Sequence, residues 1–206
     1  MVLAGGRSTR FEDGDKALAV VDGTPMLVRV VGRLGAATDA VVVNCRDDQR
    51  PEFERALADV DVPVRFAIDD RPDEGPLVGL DTVLAAVSAP RVLVVACDVP
   101  FLDPGFLDAL LAAVDGKAGS PDAAVPVDDA GFVTPTCAAY RTDALAASVT
   151  DALAAGSLRL RDALDDLDVR TVTPDELGAS RHALADANTR AELDRLVAAH
   201  RTDDAE

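Results

Sequence analysis

RVLVVACDVPFLDPGFLDALL, residues Arg91–Leu111, changes character at Cys97 and again at Asp103. Arg91–Cys97 is a continuous apolar run. That is the pattern of a strand buried on both faces, not of one alternating between core and water. Asp98-Val99-Pro100 breaks the run. Asp103 is an N-cap residue type, Pro104 suits a first helical turn, and Phe106, Leu107, Leu110 and Leu111 recur at helical spacing. A buried strand feeding a helix through a short polar turn is one unit of an α/β sheet. The turn lies at the carboxyl end of the strand, where open parallel sheets bind ligands.

The same rhythm extends in both directions. Met1–Ala4, Ala40–Asn44 (AVVVN) and Val62–Ile68 (VPVRFAI) are further apolar strands, and helices are predicted at Pro25–Leu34, Gln49–Ala58 and Pro76–Val87. Downstream, strands are expected at Asp122–Val127, Gly131–Tyr140 and Asp168–Val172, with a turn near Asp128–Gly131. Helices are expected at Thr142–Ala155, Leu158–Leu167 and Thr189–Ala199. There is no internal repeat, and Asp115–Pro121 reads as a loop and not as a linker. The fold class is therefore α/β: a three-layer α/β/α sandwich with a Rossmann-like, mostly parallel sheet, in a single domain spanning residues 1–206.

The chain has 206 residues, with 37 acidic and 20 basic side chains and a formal net charge of −17. The acid is mostly Asp (30 Asp, 7 Glu) and the base mostly Arg (18 Arg, 2 Lys). Hydrophobic residues make up 49%, which excludes a disordered acidic tail. Nucleic acid and anionic membrane are excluded as main partners, because both are held through an excess of Lys and Arg. The acid is either a binding surface or a solvated coat adapted to high salt. Its even spread and the scarcity of Lys favour the halophilic coat. No apolar run approaches the ~18 residues of a membrane span, and the start, without a basic stretch followed by an apolar one, is not expected to be a signal peptide. Cys45, Cys97 and Cys137 lack metal-ligand spacing, and with two His they do not make a zinc site. A cytoplasmic protein with reduced thiols is expected.

Three segments carry chemistry. The first strand runs into GGRSTRFEDGDK, Gly5–Lys16. Gly5 and Gly6 let backbone N–H groups approach an anion, and Arg7, Arg10 and Lys16 set cations beside them. The spacing is neither a Walker A loop nor GxGxxG. Asp98, at a strand end, suits Mg²⁺, which takes one or two carboxylates plus substrate phosphates; alternatively it caps a turn before Pro100. The third segment is DRPDEGPLVGL, Asp70–Leu80, where Gly-Pro opens a helix after a strand. Asn44 ends another strand on the same edge.

Together these segments resemble the nucleotidyltransferases of the molybdenum cofactor guanylyltransferase (MobA-like) family. The matching stretches are LAGGRSTR (Leu3–Arg10), Asp15-Lys16, GTP (Gly23–Pro25), VVVN (Val41–Asn44), GPLVGL (Gly75–Leu80), CDVPFL (Cys97–Leu102) and DANT (Asp186–Thr189) with Glu192-Leu193. They span nearly the whole chain in the family's order. Glu12-Asp13 stands where the family has Gly, and Asp186 replaces the first Asn of its closing motif.

The resemblance implies the nucleotidyltransferase type of fold, with a nucleotide-binding half of about 1–103 and an acceptor-binding half of about 104–200. It implies transfer of GMP from GTP to molybdopterin cofactor with Mg²⁺, releasing pyrophosphate. Leu3, Ala4, Gly5, Gly6, Asn44 and either Asp69 or Asp70 would hold the nucleotide. Lys16 would meet the phosphates and Asp98 the metal; Arg10 is added to the catalytic set on charge. Thr134-Pro135-Thr136, Arg159 and Arg161 are acceptor candidates. Molybdoenzymes or their chaperones would receive the product. The alternatives are CTP on the same cofactor, GTP on adenosylcobinamide phosphate, an isoprenoid or sugar nucleotide product, or a non-catalytic molybdopterin carrier.

Overall fold

The computed structural model describes residues 1–8, 11, 14–71, 74–128 and 130–203. In chain order these form β1 (Val2–Leu3), β2 (Val20–Val21), β3 (Thr24–Pro25), α1 (Met26–Gly35), β4 (Val41–Cys45), α2 (Arg50–Ala56), β5 (Val64–Ile68), α3 (Pro76–Leu84) and β6 (Arg91–Ala96). There follow α4 (Pro104–Ala113), β7 (Ala123–Pro126), β8 (Cys137–Arg141), α5 (Thr142–Ala154), β9 (Val169–Val172) and α6 (Arg190–Asp203).

A seven-stranded sheet has the order β5-β4-β1-β6-β8-β7-β9. Among the described residues only β8 runs against the rest, pairing antiparallel with both β6 and β7. β1 is paired on both sides, Leu3 lying opposite Asn44 of β4 and Ala96 of β6. Successive strand residues face opposite layers. Val41, Val43, Leu93 and Val95 pack with Leu27, Val31, Leu107 and Leu110 of α1 and α4. Val42, Val92 and Val94 pack with Leu77, Leu80, Leu145 and Val149 of α3 and α5. The continuous apolar runs of the sequence are thus strands buried on both faces, and the three-layer, mostly parallel sandwich is observed.

The predicted helix start at Asp103 is present: its Oδ1 accepts the Phe106 N–H at 2.9 Å. Two expectations are corrected. The strand expected from Gly131 begins only at Cys137. Before it, Asp128 Oδ1 accepts the N–H groups of Ala130 (3.0 Å) and Phe132 (2.8 Å), a side-chain turn that competes with extended backbone. The helix expected at Leu158–Leu167 is a 3-10 turn, Leu160–Leu164. The β2–β3 hairpin was not anticipated. Its turn residues Asp22 and Gly23 both have positive φ (47° and 81°), as a two-residue Asp-Gly hairpin loop requires. A small third cluster, with Phe11, Val21, Met26, Phe101 and Leu193, binds this hairpin and α6 over the carboxyl edge of the sheet.

Candidate active site

Chain order reverses at β1. The chain builds β4 and β5 on one side of it and returns on the other as β6, and α/β sheets open a crevice at such a point. Two adjoining clefts lie there and share Leu3, Gly6 and Ala96. One, of about 210 Å³, holds Ser8, Lys16, Asp98 and Asn188. The other, of about 330 Å³, holds Gly5, Asn44, Asp69, Gly79 and Thr136.

Three chain segments converge in the smaller cleft. The Lys16 ammonium donates to Asp98 Oδ2 at 2.6 Å and to Asn188 Oδ1 at 3.1 Å. Lys16 stands on a 3-10 turn capped by Asp15, whose Oδ1 accepts the Ala17 N–H at 3.0 Å. The Lys16 N–H donates to Ser8 Oγ at 3.1 Å, and Ser8 holds a left-handed φ of 52°, a conformation sparsely used by residues with a side chain. Asp98 follows the end of β6. Asn188 is set by a capping box at the start of α6: the Glu192 N–H donates to Thr189 Oγ1 at 3.2 Å, and the Glu192 carboxylate accepts the N–H of Thr189 at 3.0 Å and of Asn188 at 2.8 Å. The hydrogen bonds from Asn188 and Thr189 hold the Glu192 carboxyl below its ordinary value. The Ala187 N–H fastens the segment by donating to the Asp98 carbonyl at 3.1 Å.

Cys97 lines the same cleft, but burial, with the Asp98 charge second, pushes its thiol up to about 12. Burial likewise lifts Cys45 to about 11 and Cys137 to about 12. Cys97 is wall material and Cys45 and Cys137 are core, and none is poised as a nucleophile.

In the larger cleft Asn44 is buried, and its Nδ2 donates to the Ala67 carbonyl at 3.4 Å. Gly5 and Gly79 flank it so closely that a Cβ on either would lie 2.9 Å from Asn44 Oδ1. Gly75, with φ +112°, lets the chain turn into α3 against the Leu158 carbonyl, 2.9 Å from where a Cβ would be. Of the two candidate carboxylates, Asp69 lines the cleft and its Oδ1 accepts the Arg71 N–H at 3.0 Å. Asp70 is on the surface, 3.9 Å from the Arg71 guanidinium. Thr136 reaches the cleft; Thr134 does not line it, and Arg159 and Arg161 are exposed. Arg10, placed in the catalytic set on charge, lies outside the described residues, as do Glu12 and Asp13.

The sequence reading did not pick out Arg46 and Gln49. Arg46 Nη1 donates to the carbonyls of Gly5 (2.9 Å) and Gly6 (2.7 Å). Gln49 Nε2 reaches the carbonyls of Ala4 (3.1 Å) and Gly6 (3.4 Å) and also bonds the Asp15 carboxylate. It likewise passed over Asn188 itself, although the surrounding motif was noted.

For a divalent metal, the donor set is one carboxylate, Asp98, with the Asn188 amide oxygen beside it. Among the described residues no cluster of three His, Cys, Asp or Glu side chains forms. That set does not make an all-protein cage, but it fits Mg²⁺, which keeps its waters and uses one or two carboxylates plus substrate phosphates.

Residues 1–173 match the family described as MobA-like NTP transferase domain. A probable molybdenum cofactor guanylyltransferase of Haloferax mediterranei is 40% identical over 188 residues, 91% of this chain and 85% of the relative. Its counterpart from Natronomonas pharaonis is 40% identical over 168 residues, 82% of this chain and 80% of the relative. Among solved structures, molybdopterin-guanine dinucleotide biosynthesis protein A of Archaeoglobus fulgidus superposes with a TM-score of 0.75 at 22% identity, covering 98% of this chain and 97% of that one. This likeness shows the shared fold.

Proposed function

The chain belongs to the MobA-like NTP transferase family, and from that premise we propose that it transfers GMP from GTP to molybdopterin cofactor, giving the guanine dinucleotide form and pyrophosphate, with Mg²⁺. The observation that carries the reading is the meeting of Lys16, Asp98 and Asn188 beside the Gly5–Gly6 loop, in a cleft continuous with Asn44 and Asp69.

The chemistry asks for no protein nucleophile. A terminal phosphate oxygen of the acceptor attacks the α-phosphorus in line, the new P–O bond forms, and the bond to the pyrophosphate oxygen breaks. Catalysis is then positioning plus charge neutralisation. Gly5 and Gly6 offer N–H donors to the phosphates. Lys16 supplies a cation where charge develops, and Asn188 holds its ammonium in place. Asp98, with Asn188 beside it, is the seat for Mg²⁺, which when bound would neutralise phosphate charge. Asn44 and Asp69 wall the larger cleft, which would take the nucleoside, and Thr136, the acceptor candidate, lines the same cleft.

The test is pyrophosphate release from GTP, CTP and ATP, each with molybdopterin and Mg²⁺. Release with GTP alone supports the reading. Equal release with CTP overturns the choice of base. No release, and no Mg²⁺-dependent thermal shift with any nucleotide, points to a carrier; a bound ligand at 100 times its Kd adds about 2.7 kcal/mol of stability.

A further inference from the structure

We propose that Arg46 and Gln49 are positioning residues that aim the backbone N–H groups of Gly5 and Gly6 into the cleft. The inference rests on the reading of that cleft as a nucleotide site and adds how the donors are oriented. A trans peptide is planar, so the carbonyl of one residue and the N–H of the next point in opposite directions. No cis peptide occurs among the described residues. The carbonyls of Ala4, Gly5 and Gly6 are all captured from behind: Ala4 by Gln49, Gly5 by Arg46, and Gly6 by both. The N–H groups of Gly5 and Gly6 must therefore face away from these two side chains. Gly6 lines both clefts and Gly5 the larger one. Among the described residues neither N–H donates to a protein acceptor. Glycine alone would leave these peptides free to flip, since it populates both signs of φ.

The clamp is itself fixed. Gln49 is only 4% exposed, and its Oε1 accepts the Arg46 N–H at 2.9 Å. The Arg46 guanidinium is braced on its other edge by Asp48, at 3.0 and 3.1 Å. Asp48 offsets the guanidinium charge behind the loop, so what the cleft receives is the positive end of oriented peptide dipoles. Gln49 also bonds Asp15, the cap of the turn that presents Lys16. One buried amide thus sets the backbone donors and the catalytic cation in a common frame. The guanidinium holds both carbonyls through Nη1 while its Nε–Nη2 edge grips Asp48, and an ammonium, a single point, has no second edge for Asp48.

The test compares wild type with R46M, R46K and Q49L, each checked for folding by circular dichroism melts. Affinity is measured for GTP by calorimetry and for guanosine by ligand-observed NMR. R46M and Q49L are expected to raise the Kd for GTP about tenfold or more, with guanosine affinity within about twofold of wild type. R46K, keeping a donor without the fork, is expected to fall between, and it carries the comparison if R46M does not fold. GTP affinity at the wild-type level in folded R46M and Q49L overturns the inference, as does an equal loss for GTP and guanosine, which marks a merely structural role. A wild-type chain that binds no GTP overturns the nucleotide reading, and this inference falls with it.

Discussion

The Lys16 ammonium and the Asp98 carboxylate lie 2.6 Å apart and join the loop after β1 to the end of β6, with both side chains about 15% exposed. Charge-assisted hydrogen bonds of this length are among the stronger polar contacts. The contact holds both groups where a phosphate and a metal are proposed to arrive. The two residues are expected to separate kinetically. Asp98→Ala should bind GTP while losing about 10²–10³-fold in turnover, the scale of losing one electrostatic stabiliser. Lys16→Met should lose GTP affinity as well. Calorimetry and pyrophosphate release on folded variants check both, and near-wild-type turnover in Asp98→Ala sinks the metal-seat role.

Asn44 is held between two glycines, and this makes a stability prediction of opposite signs for two similar substitutions. Gly32→Ala in α1 meets open space. It should stabilise by about 0.4–1 kcal/mol, through helix propensity and a less flexible unfolded chain. Gly79→Ala in α3 has the same propensity gain, but its Cβ would sit 2.9 Å from Asn44 Oδ1. Overpacking there should reverse the sign, to a loss of about 1–3 kcal/mol, and should weaken GTP binding. Thermal melts of the two variants decide it. Equal stabilisation by both would mean that Asn44 moves aside freely.

The sheet was legible because burial on both faces writes itself into consecutive residues, as at Arg91–Cys97. Asp103 and Pro104 announced α4 because caps are local chemistry. The β2–β3 hairpin also has a local sign, Asp22-Gly23, but Gly23–Pro25 reads equally as a stretch of the family resemblance and Pro25 as the first turn of a helix. The Gly loop, Lys16, Asn44 and Asp98 stood out as motifs at strand ends. Asp69 and Asp70 are adjacent and chemically alike, so only the direction of the chain after β5 separates the one lining the cleft from the one at the surface. Asn188 meets Lys16 across 172 residues, and Gln49 meets Asp15 across 34. Contacts of that kind have no period or spacing to reveal them. Arg46 and Gln49 act on backbone carbonyls, which every sequence possesses.

The capping box at α6 gives a pH dependence with a definite sign. The Glu192 carboxyl is held below its ordinary value by the N–H of Asn188 and, next, of Thr189. A depressed carboxyl contributes stability that is present above its unfolded value, about 4.3, and is lost as pH falls through the folded value. Glu192→Gln should therefore melt below wild type at pH 7, with the gap closing as the pH drops under about 4. Because Glu192 also orients Asn188, the variant should lose turnover at neutral pH while still folded. A melting gap that stays constant down to acid pH would remove Glu192 from the linkage.

The net charge of −17 leads to a prediction about salt. The proposed substrates are anions, so the acid has to be a coat, and its field opposes their approach. At ~0.1 M salt the Debye length is about 10 Å and at ~1 M about 3 Å, so added salt should silence exposed Asp–Asp repulsion first. The Lys16–Asp98 pair, with both side chains about 15% exposed, is partly shielded from solvent and should be screened less. Melting temperature is therefore expected to climb from 0.1 M toward molar KCl, and the KM for GTP to fall over the same range before screening reaches the cleft. Melting curves and pyrophosphate release across a KCl series check this. Full stability and turnover in dilute buffer would show that the acidic coat is not an adaptation to salt, and would reopen the question of what so much surface Asp is for.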